Sequence, residues 1–220
     1  MPSSREQATI RPYRQADRGA VLRIAADTAA FGGPVETFLD DRRLFCDAFY
    51  RYYVDFEPEH AWVATVEPEV VGFLVGCTDR ARRDRLMATR IIPSLAWRLL
   101  RGRYRVGRCT WTHALDEMGA AARREFPAVD LARYPAHLHI NLDARWRGLG
   151  AGRRLLDAYL AQLLTLGVPG VHLHTTSLNV AAVALYTRMG FRLLDARPTR
   201  LWERVVAGPV ENRTYGLRIS

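Results

Sequence analysis

The chain has 220 residues and no lysine; all 32 of its basic residues are arginine. It therefore carries no side-chain amine of its own. Cysteine is scarce: Cys46, Cys77 and Cys109 are odd in number and far apart, which excludes a disulfide framework and a cysteine-based metal pattern. A reducing cytoplasm is the expected setting. No apolar run approaches the length needed to cross a bilayer. The opening segment MPSSREQATI lacks the apolar core of a signal peptide. Internal repeats and low-complexity stretches are also missing. What remains is a globular composition, 49% apolar, of a length that fits one domain over residues 1–220. The net charge of +9 would attract an anionic ligand or partner, or simply coat the surface.

Hydrophobic periodicity predicts a short strand over Thr9–Tyr13, helices over Ala16–Ala30 and Val35–Phe56, and a hairpin of strands His60–Val66 and Val70–Thr78 turning at Glu67-Pro68-Glu69. Further strands are expected at Pro135–Leu142, Gly170–His174, Phe191–Ala196 and Leu201–Val206, the last two closing the sheet. Helices are expected at Leu149–Leu166 and Asn179–Met189, with the Asn179 side chain capping the second. Late alternation of strand and helix plus an early hairpin predicts an α/β (α+β) fold with a mixed central sheet flanked by helices. Its core would be 9–78 and 135–206, followed by a tail, 207–220. Residues 79–133 form a connection far longer than normal. They hold ten arginines from Arg80 to Arg108 against Asp79 and Asp84, with apolar residues at partly helical spacing. Helices over Arg80–Arg101 and Ala114–Glu125 are expected, as a substrate lid or as an added layer with a solvated face.

The most informative run is Asp143–Leu156, DARWRGLGAGRRLL. An apolar strand leads into Arg147-Gly148-Leu149-Gly150-Ala151-Gly152, and a Leu-rich helical pattern follows. The first amides of a helix lack internal partners and sit at the positive end of its dipole, and glycine lets an anion approach the backbone. The turn is therefore suited to a pyrophosphate. No Gly-Lys-Ser/Thr follows, so it is not a P-loop, and the glycine spacing is not that of a dinucleotide fold.

Downstream, Asn179, Ala182, Tyr186, Gly190 and Phe191 form Asn-x-x-Ala-x-x-x-Tyr-x-x-x-Gly-Phe. Together with Arg147-x-x-Gly150-x-Gly152, in this order and at this distance, the sequence resembles the GNAT family of acetyl-CoA-dependent N-acetyltransferases. The resemblance is specific over 135–196 and looser over 9–78. The phrase AHLHINLDARW also resembles the acetyltransferase-like module attached to O-GlcNAc hydrolases. The GNAT resemblance implies acetyl-CoA as co-substrate and an amine acceptor, with 79–133 a helical insertion before the acetyl-CoA-binding strand. It implies that the main chain of Ile140, Asn141 and Leu142 holds the pantetheine arm and that the Leu142 N–H polarises the thioester carbonyl. Amides from Arg147 through Gly148, Leu149, Gly150, Ala151 and Gly152 to Arg153 would hold the pyrophosphate. Asn179 would bond the CoA, and Tyr186 would protonate the leaving thiolate. None of the cysteines matches a nucleophile position, so direct transfer in a ternary complex is expected.

The base is left open by the sequence. His137/His139 and His172/His174 are two His-x-His pairs, each sharing one face of a strand. His139 and His137 are the candidate general bases, since imidazole titrates near neutrality. Asp143, Asp116, Glu117 and bulk water acting on an amine already neutral are the fallbacks. The plain alternative is that the histidines are hydrogen-bonded sheet residues under a helix. Two such strands also raise a metal site, but no cysteine lies near and no further ligand is evident, so no metal is assigned. A non-catalytic GNAT-fold module for CoA binding or protein interaction is the alternative reading of the whole chain. Neither a nucleic acid nor a membrane is an expected partner, because aromatic residues interleave the basic segment only sparsely. The acceptor amine and a homodimeric state stay open.

Overall fold

A computed structural model describes residues 7–219. The first six residues of the opening segment considered above, and Ser220, lie outside them. The described chain forms a seven-stranded mixed sheet: β1 (Thr9–Pro12), β2 (Ala61–Val66), β3 (Glu69–Cys77), β4 (Ala136–Leu142), β5 (Gly170–Thr176), β6 (Arg192–Thr199) and β7 (Val210–Arg218). Their order is β1-β2-β3-β4-β5-β7-β6, and β4–β5 is the parallel pair. The expected α/β architecture is present, with two corrections. Leu201–Val206 is not a strand but a run of turns, and the expected tail contains β7, which inserts between β5 and β6. The short run of Leu201, Trp202, Val205 and Val206, rich in aromatic and β-branched residues, imitates a strand; Trp202 instead turns inward against the rings of Phe31 and Phe38.

On one face lie α1 (Arg18–Asp27), α2 (Arg42–Phe49) and α3 (Arg51–Asp55), where Ile24, Phe45 and Tyr53 pack on Val63, Phe73 and Val75. The single helix expected over Val35–Phe56 is broken: residues 38–41 leave the helix, Asp41 caps α2 by accepting from the Arg43 and Leu44 amides, and α3 begins after Tyr50. On the other face, α7 (Ala151–Thr165) sets Leu155, Tyr159 and Leu163 against Leu74, Leu138 and Leu173, and α8 (Val180–Arg188) packs beside it.

Residues 79–133 are helical, as expected, with shifted bounds. α4 (Arg80–Leu86) passes through a wider turn at Met87–Ile91 into α5 (Ile92–Leu100), and α6 spans Arg108–Ala122. This segment is anchored by carboxylates from elsewhere. Asp40 Oδ2 accepts from the Gly107 and Thr110 amides and from the Thr110 hydroxyl, capping α6 where its own sequence offers only glycine. Asp47 accepts from Arg98 and Tyr104 at 2.7 Å each.

Beyond α6, buried Glu125 accepts from Thr199 Oγ1 at 2.8 Å, the Arg200 amide at 3.0 Å and Arg123 Nε at 2.5 Å. Burial opposes ionisation of this carboxyl, but the bonds from Arg123, the Arg200 amide and Thr199 outweigh it, so its pKa lies below the usual value. A carboxyl with a depressed folded pKa stabilises the fold above its unfolded pKa and loses that contribution as pH falls through the folded one. Glu125→Ala should therefore lower stability by about 2–3 kcal/mol at neutral pH, since charged hydrogen bonds are lost and their donors stranded. The difference from wild type in urea unfolding should shrink under acid conditions.

Candidate active site

The parallel pairing of β4 and β5 is short. Ala136 pairs with Val171 and His137 with His172, and the register ends there. Beyond that point β4 stays paired with β3 alone, up to Leu142 opposite Gly72. The Asp143 amide donates to Val71 O at 2.9 Å. Bonded and non-bonded pairs alternate in an antiparallel ladder, so Leu142 and Ile140 turn their N–H and C=O groups away from β3. These amides face the gap left by β5. The Leu142 carbonyl confirms the direction, because it accepts from Arg147 Nε at 3.1 Å across that side. Asn141, the middle residue of the expected main-chain triplet, has its own backbone turned to β3. Its side chain reaches the opposite helices, donating to Thr28 Oγ1 at 2.7 Å and accepting from Tyr50 OH at 3.1 Å.

The gap opens into a cavity of about 510 Å³, lined among others by Ile140, Leu142, Arg147, Asn179 and Tyr186. One edge is the start of α7. Gly148 and Gly150 hold left-handed φ angles of 76° and 81°, which L side chains rarely adopt. Nothing lies within 4 Å of a Cβ built on either, so the turn is open to a ligand on that side. The amides of Ala151, Gly152 and Arg153 form the first helical turn, which has no acceptor of its own. Gly152 serves packing instead: a Cβ there would meet Leu185 at 3.2 Å and Leu142 at 3.3 Å, where α7, α8 and β4 converge. Leu149 is half-buried in the turn, and the exposed Arg153 faces Asp157 at 3.8 Å. These features fit a pyrophosphate at the turn and an extended amide-bearing arm along β4. Asn179 does not cap α8 as expected; its amide donates to Thr175 Oγ1 at 3.0 Å, which ties the end of β5 to the start of α8.

Tyr186 is 6% exposed, against Phe191 and Tyr215, and faces the cavity. Burial raises its phenol far above the usual value, so the hydroxyl carries its proton at any physiological pH.

The opposite wall is made by residues distant in sequence. Trp202 stacks edge-on against Phe31 and Phe38, with ring centroids 4.8 and 5.6 Å away, and His113 of α6 joins them at 5.5 Å. One helical turn on, Glu117 lies 3.7 Å from His113. Glu117 lines both this cavity and a second one of about 570 Å³, which contains Arg80, Phe126, Trp202 and Arg213. Its carboxyl is raised by desolvation. Neither Trp202 nor Phe31 carries a local sequence signal; both enter through tertiary packing.

The four histidines converge on one face where β4 and β5 pair. His137 lies 4.7 Å from His139, 4.9 Å from His172 and 5.5 Å from His174 between ring centroids. His137 is buried, with Nδ1 3.1 Å from Tyr53 OH. His139 sits between the rings of Tyr50 and Tyr53 at the cavity wall. Burial weakens His137, His139 and His172 as bases: His139 falls to about 3 and His172 to about 4, while His137 also drops well below the usual value. The reason for preferring His137 or His139 as base, a pKa near neutrality, is thereby removed. Asp143 is also a weak base, because the Arg145 side chain bonds it and holds its carboxyl low.

The sequence model described as the acetyltransferase (GNAT) family matches residues 106–191, reaching back into the helical insertion as far as α6. A crystal structure described as SsHAT superposes with a TM-score of 0.72 at 32% identity, covering 97% of this chain and 99% of that one. The chain belongs to the GNAT family of acetyltransferases. The polyamine N-acetyltransferase of Drosophila melanogaster shares the fold, with a TM-score of 0.61 at 18% identity over 96% of this chain and 99% of that one. A 56-residue segment is 43% identical to the mycothiol acetyltransferase of Nocardiopsis dassonvillei, spanning 26% of this chain and only 17% of that protein. Among the described residues, no helix of this GNAT chain is long and apolar enough to cross a membrane.

Proposed function

We propose that this GNAT chain is an acetyl-CoA-dependent N-acetyltransferase that passes the acetyl group directly to a primary amine in a ternary complex. The observation that carries the reading is the open edge of β4, where the Ile140 and Leu142 amides share one cavity with Tyr186 and Glu117. Acetyl-CoA, when bound, supplies the acetyl group as an activated thioester. The Gly148–Gly150 turn and the Ala151, Gly152 and Arg153 amides at the start of α7 would hold the diphosphate, and the free β4 amides would align the pantetheine arm. The Leu142 N–H polarises the carbonyl by donating to its oxygen. Glu117 takes the proton from the attacking amine, which makes the amine nucleophilic. As the C–N bond forms and the C–S bond breaks, the Tyr186 hydroxyl gives its proton to the leaving sulfur.

Glu117 replaces the histidines as base because it is the carboxylate on the cavity wall whose surroundings raise its proton affinity. Direct transfer is favoured by the thiols. Burial pushes Cys46 up to about 11 and Cys77 up to about 12, and Cys109 lines neither cavity, so no thiolate is poised to accept the acetyl group.

The first test is on the glycine turn. Gly150→Asp places a side chain at a left-handed φ and a negative charge beside the diphosphate. CoA affinity measured by calorimetry should fall at least about tenfold, about 1.4 kcal/mol. Gly150→Asn, a residue tolerated in this backbone region, should lose less. Equal affinity of wild type and a folded Gly150→Asp would remove the diphosphate from this turn. Acetyl transfer to a panel of amines then separates an enzyme from a CoA-binding module, which would bind CoA and acetylate none of them.

A further inference from the structure

Three of the four clustered histidines present one ring nitrogen each to a common centre. The ligand atoms of His137, His172 and His174 all lie within 4.8 Å of one another. The register of the parallel pair explains this: His137 is directly opposite His172, and His174 follows two residues on along the same face of β5. From these positions we propose that His137, His172 and His174 form a metal site that holds one divalent transition-metal ion, zinc by its donor set, with a fourth position open to the second cavity.

The other ring nitrogens are held by outer partners. His172 Nδ1 lies 2.8 Å from the Tyr134 carbonyl oxygen, His174 Nδ1 2.8 Å from Thr214 Oγ1, and His137 Nδ1 3.1 Å from Tyr53 OH. A carbonyl oxygen only accepts, so His172 must carry its proton on Nδ1 and leave a bare lone pair on Nε2. Metal-binding histidines are held in this way, with one nitrogen fixed to an outer partner and the other free for the ion. The Nε2 atoms of His137 and His172 are buried and have no hydrogen-bond partner among the described residues. The bare His172 Nε2 and the His137 Nε2 are both left without a partner, and each buried polar atom left unpaired is costly. An ion at that centre would satisfy both of them together with His174.

Bonds of about 2.0–2.1 Å in a tetrahedral set put ligand nitrogens about 3.3 Å apart, so the triad would close inward by up to about 1.5 Å. His174 provides the opening, since it is exposed and lines both cavities. Charge decides the kind of fourth ligand. Arg80 and Arg83 both bond to Asp84, at 2.8 and 2.9 Å, so two guanidiniums share one carboxylate next to the cluster. The surplus positive charge disfavours a bare dication and favours an anionic fourth ligand, hydroxide or a carboxylate entering past Arg80. The fourth histidine, His139, is outside the triad and packs on Tyr50 and Tyr53.

The test is direct metal binding by the full chain, which does not depend on any acetyltransferase activity. Protein stripped with a chelator is dialysed against Zn²⁺ or Co²⁺, and its metal content is measured by mass spectrometry. One equivalent per chain is expected, with the Co²⁺ form showing the intense visible bands of four-coordinate geometry. His172→Ala should abolish stoichiometric binding. Tyr53→Phe removes only the outer partner of His137, is conservative enough to fold, and should weaken affinity by about 10–100-fold in a competition titration with a chromophoric chelator. His139→Ala should keep one equivalent. The proposal is overturned if wild type takes up no more metal than the His172→Ala/His174→Ala double variant, or if Tyr53→Phe binds as tightly as wild type. CoA calorimetry on the stripped protein shows separately whether the cofactor cleft is intact.

Discussion

Tyr186→Phe should lower the rate of acetyl transfer by about 10²–10⁴-fold while CoA affinity barely moves. The ring stays, so its contacts with Phe191 and Tyr215 survive and the protein should remain folded. What is lost is one proton donor. The phenol is buried at the cavity wall, and desolvation holds it in the protonated form. The measurement is single-turnover acetylation at saturating acetyl-CoA, where chemistry limits the rate. Wild-type single-turnover rates in the Phe variant would make Tyr186 a packing residue of α8 and leave thiolate protonation to solvent.

The parts of the fold that were legible in the sequence are those set by local chemistry. The hairpin of β2 and β3, the strand–glycine–helix passage into α7 and the amphipathic α8 all carry their signals within a dozen residues. The failures come from one local competition and from interactions over long sequence distance. Asp41 breaks the expected helix over Val35–Phe56 by turning its carboxylate onto the Arg43 and Leu44 amides, a local competition that apolar periodicity hides. The run Leu201–Val206 reads as a strand, yet Trp202 is taken by Phe31 and Phe38, about 170 residues earlier. That leaves β7 to pair with β5 and β6, an interleaved order no spacing encodes. The site divides in the same way. The glycine turn and the Asn179–Phe191 element could be found because their residue types and spacing are themselves the signal. Glu117 and Trp202 could not be ranked, because what distinguishes them is the cavity they share. The histidine pairs were visible as pairs; that His137 falls opposite His172, and so gathers three nitrogens, depends on the register of β4 against β5.

Glu117→Gln tests the base, and its expected effect is of the same size: turnover over KM should fall by about 10²–10⁴-fold near neutral pH. The change keeps the shape of the side chain on α6 and removes only its capacity to accept a proton. The pH profile separates this from simple loss of packing. On the proposed mechanism the ammonium form of the acceptor binds and Glu117 must be ionised to receive its proton. The acid limb should therefore lie above the ordinary carboxylate range, since desolvation raises the Glu117 carboxyl. Below that limb Glu117 is protonated and the rate falls. His113, 3.7 Å away, does not counteract this, because burial lowers its own pKa and keeps it neutral. Asp116, the adjacent carboxylate, is engaged by Arg204 Nε at 2.8 Å and points its charge to the surface pair. In the Gln variant only the fraction of amine already neutral in solution can react. Its rate should then climb about tenfold for each pH unit toward the pKa of the acceptor, with no plateau at lower pH. A Gln variant that keeps the wild-type acid limb would return the proton to the histidine cluster or to water.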